Sequence, residues 1–184
     1  VCALAVGVSI AAPAIAQDKP IKIRIQSVIP TSADEVTMLK DFAADVAALT
    51  NNTVTFEILP AGAVVAVNDT LDAVDKGVIE GGFAWTHYWS GKHPAAALFG
   101  SPAAGSGVGM DNFAWLSWYL YGGGQALYDQ LWKEMKVNVK GFILQPVGPE
   151  ALGWFKTPIN SMADFRKLRF RTPPGIPGQI YNEI

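Results

Sequence analysis

Strand and helix signals alternate along this chain, and that alternation restricts it to one fold class. Ile21-Lys22-Ile23-Arg24-Ile25 places an apolar residue at every second position, the period of a strand with one buried face. Thr31 or Ser32 then supplies an oxygen to cap a helix whose first turn holds Asp34 and Glu35. Val36, Leu39, Phe42, Ala43, Val46 and Leu49 follow at helical spacing until Asn51-Asn52 stops them. Residues 53–60 read as a second strand, and Asn68 or Asp69 opens a second helix with the stripe Leu71, Val74 and Val78. Gly81-Gly82-Phe83-Ala84-Trp85 reads as a short buried strand. Asp111 caps a long aromatic helix running towards Met135. Inside it, Gly122-Gly123-Gly124 costs about 1 kcal/mol per glycine against alanine, and so marks a break or a close backbone approach. A fourth strand is expected within 137–147, then an extended Trp154-Phe155 before Pro158. A short helix over 161–167 is capped by Ser161 or Asn160, and a strand over 168–172 stops at Pro173-Pro174-Gly175. The order β-α-β-α-β-α-β predicts an α/β domain with a largely parallel sheet.

Composition narrows the function classes. Half of the 184 residues are hydrophobic and 16% are charged, which is globular rather than disordered. A net charge of −2 builds no field for a polyanion, so no nucleic-acid partner is expected. The single cysteine, Cys2, excludes a disulfide framework and a cysteine zinc site. Residues 1–16 carry no charge and end in Ala14-Ile15-Ala16, directly before Gln17-Asp18-Lys19. A short apolar run with that ending reads as the core and cleavage site of a secretory signal peptide, the alternative being a buried N-terminal helix or strand. It is short for a bilayer span, which needs about 20 residues. With no initiator Met and no basic start, the sequence is expected to begin inside an open reading frame.

Searches for bond chemistry fail. Neither His87 nor His93 lies in an H-E-x-x-H pattern, and neither Ser101 nor Ser106 is centred in G-x-S-x-G. Gly105-Ser106-Gly107-Val108-Gly109 follows no strand signal and lacks a phosphate-loop lysine, so it reads as a loop. Trp115, Trp118, Tyr119 and Tyr121 cover several faces of one helix, the pattern of a buried helix. No enzyme activity is expected.

What remains is a cation beside aromatics. In Leu168-Arg169-Phe170-Arg171-Thr172 the apolar pair shares one face and the arginines the other. An exposed edge tolerates both. Yet ligands in open α/β sheets bind beyond the carboxyl ends of strands. Arg171 lies nearest that end, where its guanidinium can take a carboxylate in a bidentate pair. Glu150, in an otherwise apolar stretch, is either a loop carboxylate in water or an acceptor or cation ligand in the same pocket. Trp85-Thr86-His87-Tyr88-Trp89 should also reach a sheet's carboxyl edge, where Tyr88 offers a hydroxyl and Trp85 or Trp89 a wall, or else pack in the core.

Three segments, 59–82, 112–132 and 153–175, resemble in order the periplasmic solute receptors of TRAP transporters, the DctP-type family. The most specific is the run from Gly153-Trp154-Phe155 to Arg169-Phe170-Arg171-Thr172-Pro173-Pro174-Gly175. The resemblance implies two α/β lobes of the periplasmic-binding-protein type with a ligand cleft between them. Residues 17–139 would form the first lobe and 140–184 the start of a second that the chain is expected to leave incomplete. Exposed apolar surface and low stability would follow. It further implies an organic-acid anion clamped by Arg171, most similar to the branch that binds 2-oxo and 2-hydroxy monocarboxylates. C4-dicarboxylates and other carboxylates are the alternatives. Some of that branch hold a cation through a Gln at the position of Glu150. A carboxylate there would favour Ca2+ over Na+, or no ion. TRAP membrane subunits in a Gram-negative periplasm and a homodimer are the implied partners. An ABC importer, a sensor kinase and, more remotely, a periplasmic α/β enzyme are the rival readings.

Overall fold

Strand β1 (Ile21–Ser27) is the middle of a three-stranded parallel sheet ordered β2-β1-β3, with β2 at Val54–Leu59 and β3 at Gly81–Phe83. The structure is a computed structural model and describes residues 19–100, 109–144, 151–172 and 175–184. The register runs from Ile21 opposite Val54 to Gln26 opposite Leu59, and from Ile25 opposite Gly81 to Ser27 opposite Phe83. Going from β1 to β2 the chain steps one way, and going from β2 to β3 it steps back across β1. The direction of winding therefore reverses beside β1, which opens a crevice at the carboxyl ends of β1 and β3.

Helix α1 (Asp34–Leu49) buries Val36, Leu39 and Ala43, and Phe42 meets Phe56 of β2 at 5.7 Å between ring centroids. Leu49, the last residue of the expected stripe, is exposed. The expected cap is corrected: Ala33 stands at the N-cap with no side-chain hydrogen bond. A turn closed by Ala33 N–H donating to Pro30 O at 3.0 Å moves Thr31 and Ser32 off that position.

Gln26 went unnoticed as a sequence feature. Its side chain is fully buried at the carboxyl end of β1. Nε2 donates to Val65 O at 2.9 Å and Thr70 Oγ1 at 3.3 Å, while Oε1 accepts from Val64 N at 2.8 Å and Val65 N at 3.1 Å. One carboxamide thus ties the 60–66 loop and the start of α2 (Thr70–Asp75) to the sheet. Gln26→Leu should destabilise the chain by about 1–2 kcal/mol, because the part-buried Val64 and Val65 N–H groups lose their acceptor. The expected signature is a lower urea midpoint at unchanged slope.

Arg24 grips Glu80 from the neighbouring connection, with Nη2 to Oε1 at 2.7 Å and Nε to Oε2 at 2.8 Å. That hydrogen-bonded guanidinium lowers the Glu80 carboxyl to about 2. A depressed carboxylate contributes stability that is whole above its unfolded value near 4.5 and is lost as pH falls towards 2. The stability difference between wild type and Glu80→Gln should therefore shrink across that window in urea melts. A difference independent of pH would contradict the assignment.

The second helix is shorter than expected. Val67–Asp69 is a 3-10 turn, α2 stops at Asp75, and Gly77 at φ +69 turns the chain, which leaves Val78 outside the helix and exposed. The third strand ends at Phe83, two residues before Trp85. A 3-10 turn at Thr86–Trp89 and another at Pro94–Phe99 follow.

The aromatic helix is two helices, α3 (Asn112–Tyr121) and α4 (Gly124–Glu134), broken where Gly123 takes φ +89. Asp111 caps α3 as expected, accepting from Phe113 N and Ala114 N at 2.9 Å. Trp115 and Tyr119 are buried, stacked at 5.4 Å. Tyr121, by contrast, is 88% exposed, because the break takes the next turn away from it. Trp89, Phe99, Tyr128 and Trp132 complete an aromatic core with Leu71 and Leu131.

Two expected strands are absent among the described residues. Residues 137–144 and 168–172 join no ladder with another described strand; 145–147 lie outside the described residues. Trp154 and Phe155 likewise join none, and Trp154 is 98% exposed. The short helix is present as α5 (Met162–Phe165), with Ser161 Oγ accepting from Asp164 N at 3.1 Å. Helix α6 (Ile176–Glu183) follows. No helix among the described residues is long and apolar enough to cross a membrane.

Candidate functional site

The crevice beside β1 is a real cleft. It encloses about 660 Å³ including its open mouth, and its wall begins with Ile29 after β1 and Phe83, Ala84, Trp85 and Thr86 at the end of β3. Phe99 and Gly100 come from the second 3-10 turn, Trp115 and Tyr128 from α3 and α4, and Phe142 to Leu144 from the following segment. Most of this lining is apolar.

Gly100 allows the two turns to meet. A methyl there would stand 2.8 Å from both the backbone nitrogen and Cβ of His87. His87 is buried directly behind that wall, 6.4 Å from the Trp85 ring and 5.0 Å from that of Tyr88. Burial lowers its pKa first, and the charge of Arg171 lowers it further, so the imidazole is neutral. Arg171 therefore acts electrostatically on His87, which sits behind the wall.

Two hydroxyls stand among the lining side chains. Thr86 Oγ1 and Tyr128 Oη are 2.9 Å apart and both residues are buried. Burial pushes the Tyr128 phenol up to about 12, so it stays protonated and serves as a hydrogen-bonding group and not as a base.

Of the residues expected at the site, Trp85 lines the cleft. Tyr88 is half-buried against the aromatic core and is not among the lining residues. Arg171 and Arg169 are exposed while Leu168 and Phe170 are half-buried, the two-faced arrangement expected for that run. Phe170 packs on Phe155 at 6.2 Å, Phe165 at 5.8 Å and Tyr181 at 5.0 Å, which holds Arg171 on the opposite side. Glu150 lies outside the described residues, as do residues 1–16.

Sequence reading missed Thr86, Gly100, Tyr128 and the 142–144 wall. Only their assembly from distant segments marks them, although Thr86 stood inside a stretch already placed at the sheet's carboxyl edge. Among the described residues no three His, Cys, Asp or Glu side chains converge on one point. Glu150, the residue expected to meet a cation, lies outside those described, and no step is derived through an ion. The lining residues offer apolar walls and two hydroxyls, with no charged side chain among them.

The profile of the bacterial extracellular solute-binding proteins, family 7, matches residues 25–183. A monocarboxylate 2-oxoacid-binding periplasmic protein of Nostoc sp. is 35% identical over 144 residues, covering 77% of this chain and 37% of that protein. A TRAP transporter solute-binding protein of Bordetella bronchiseptica, a mixed-occupancy dimer with copurified calcium and picolinate in one site, is similar at 26% identity and TM-score 0.76. That match covers 90% of this chain and 48% of the other. A TRAP periplasmic solute-binding protein of Rhodobacter sphaeroides in an apo open state is 32% identical with TM-score 0.56, over 62% of this chain and 35% of its own. The chain thus spans between about a third and a half of the length of these relatives. The profile match, the parallel sheet and the cleft at its carboxyl edge agree: this chain belongs to family 7 of the bacterial extracellular solute-binding proteins.

Proposed function

We propose that this chain forms part of a periplasmic receptor that binds a small organic-acid anion, a 2-oxo or 2-hydroxy monocarboxylate, and presents it to TRAP-type membrane subunits. The observation that carries the reading is an apolar cleft at the sheet's winding reversal with the Arg171 guanidinium within electrostatic reach of its wall. The name of the Nostoc relative supports the ligand class, and picolinate in the Bordetella protein is likewise a carboxylate on a flat frame. In this reading residues 1–16 direct secretion, 17–139 form one lobe and 140–184 open a second. Trp85 serves as a wall, Tyr88 offers a hydroxyl, and Glu150 is an acceptor or a ligand for any associated Ca2+ or Na+. A second copy of the receptor pairs with the first, as in the Bordetella dimer.

The reaction is binding without bond chemistry. Arg171 attracts the anion and fixes its carboxylate, and closure follows because the ligand makes more contacts in the closed state. Titration calorimetry of the gene product that carries this chain, against pyruvate, lactate and succinate, tests this. Saturable binding of a monocarboxylate in preference to succinate is expected. Absence of binding to all three would defeat the reading.

A further inference from the structure

The Thr86–Tyr128 pair holds more hydrogens than its one contact uses. Each hydroxyl carries one O–H, and the 2.9 Å bond between them consumes one of the two. Both residues are buried, and both line the cleft. Leaving a buried donor unmet is costly, so the second hydrogen needs an acceptor that the cleft receives from outside. The direction of the pair follows from acidity. Either oxygen can donate in that bond; a phenol is the stronger donor and an aliphatic hydroxyl the better acceptor, which favours donation from Tyr128 to Thr86. Thr86 is left to donate into the cleft, polarised by the bond it accepts.

Resting on the reading above, we propose that Thr86 is the specificity residue of the cleft. It donates its hydroxyl hydrogen to the 2-oxo oxygen of the ligand, with Tyr128 positioning it and Arg171 holding the carboxylate. The guanidinium fork matches two carboxylate oxygens, and a single neutral hydroxyl matches the one oxygen that remains. A ligand without that oxygen leaves Thr86 unmet in a dry wall, so the cleft selects for a 2-oxygen substituent.

Calorimetry with pyruvate and propionate, which lacks that oxygen, tests the inference. In Thr86→Val the ratio of pyruvate to propionate affinity should fall about tenfold or more. Thr86→Ser should restore the ratio. Tyr128→Phe should lower pyruvate affinity less than about fivefold, because Thr86 keeps its own hydrogen. An unchanged ratio in Thr86→Val, with wild type binding pyruvate, would overturn the inference and leave the proposed function standing. Wild type that binds neither acid would overturn both. If Thr86→Val does not fold, Thr86→Ala takes its place beside Thr86→Ser. A ratio that falls in alanine and returns in serine supports the inference, and a ratio unchanged in alanine overturns it.

Discussion

Arg171→Ala is expected to weaken pyruvate binding by about 2–5 kcal/mol, roughly 30- to 4,000-fold, by analogy with truncating one partner of a desolvated charge pair. The side chain is exposed in this structure, so its removal should leave the fold intact and the loss should appear in binding alone. Its charge acts on His87 behind the cleft wall, and the proposed function gives it the ligand's carboxylate. Arg171→Lys should recover only part of the affinity, because an ammonium is a point charge without the planar fork. Arg169→Ala is the matched control: its side chain is also exposed, two residues away on the same face, and is given no role in the cleft. Equal losses for Arg169→Ala and Arg171→Ala in titration calorimetry would reduce the role of Arg171 to general attraction. Unchanged affinity in Arg171→Ala would remove it from the site.

Trp132→Ala should cost about 3–5 kcal/mol of stability, the range for deleting a large aromatic from a packed core. Trp132 is 5% exposed and meets Trp89 edge-on at 6.3 Å and Tyr128 at 5.0 Å. Its Nε1 is buried with no hydrogen-bond partner, and the backbone at Gly141 sits so close that a methyl there would stand 2.5 Å from Tyr128 Cε1. The indole therefore contributes through packing, offset in part by an unmet donor. Trp132→Phe keeps a ring and removes that donor, so it should recover more than half of the alanine loss. Urea unfolding followed by circular dichroism reads both variants. A loss below about 1 kcal/mol for the alanine variant would show that the core can collapse around the gap.

Much of the β1-α1-β2 unit was legible in the residues because its signals are local. Alternation in Ile21 to Ile25 and helical spacing from Val36 to Ala43 each describe one element facing one core. The Asp111 and Ser161 caps were legible for the same reason, since the capping oxygen and its N–H partners lie within three residues. The strands expected within 137–147 and 168–172 were not secured by equally good patterns. A strand is completed by another backbone, and alternation says nothing about whether one arrives. At Thr31 and Ser32, composition identified competent caps, but a turn one residue too early passed the position to Ala33.

The order of residues dictated the fold class and the two-faced run that exposes Arg171, because periodicity and short-range capping act along the chain; the family was legible as a resemblance of three segments. Folding in three dimensions chose the cleft. Thr86 and Tyr128 are 42 positions apart, and their hydroxyls meet only because the 3-10 turn that follows β3 meets α4. Gly100 and Gly141 likewise acquire meaning from the rings that press on them. Contacts of that kind depend on the relative placement of whole elements, which burial of the shared aromatic core decides and no local pattern encodes.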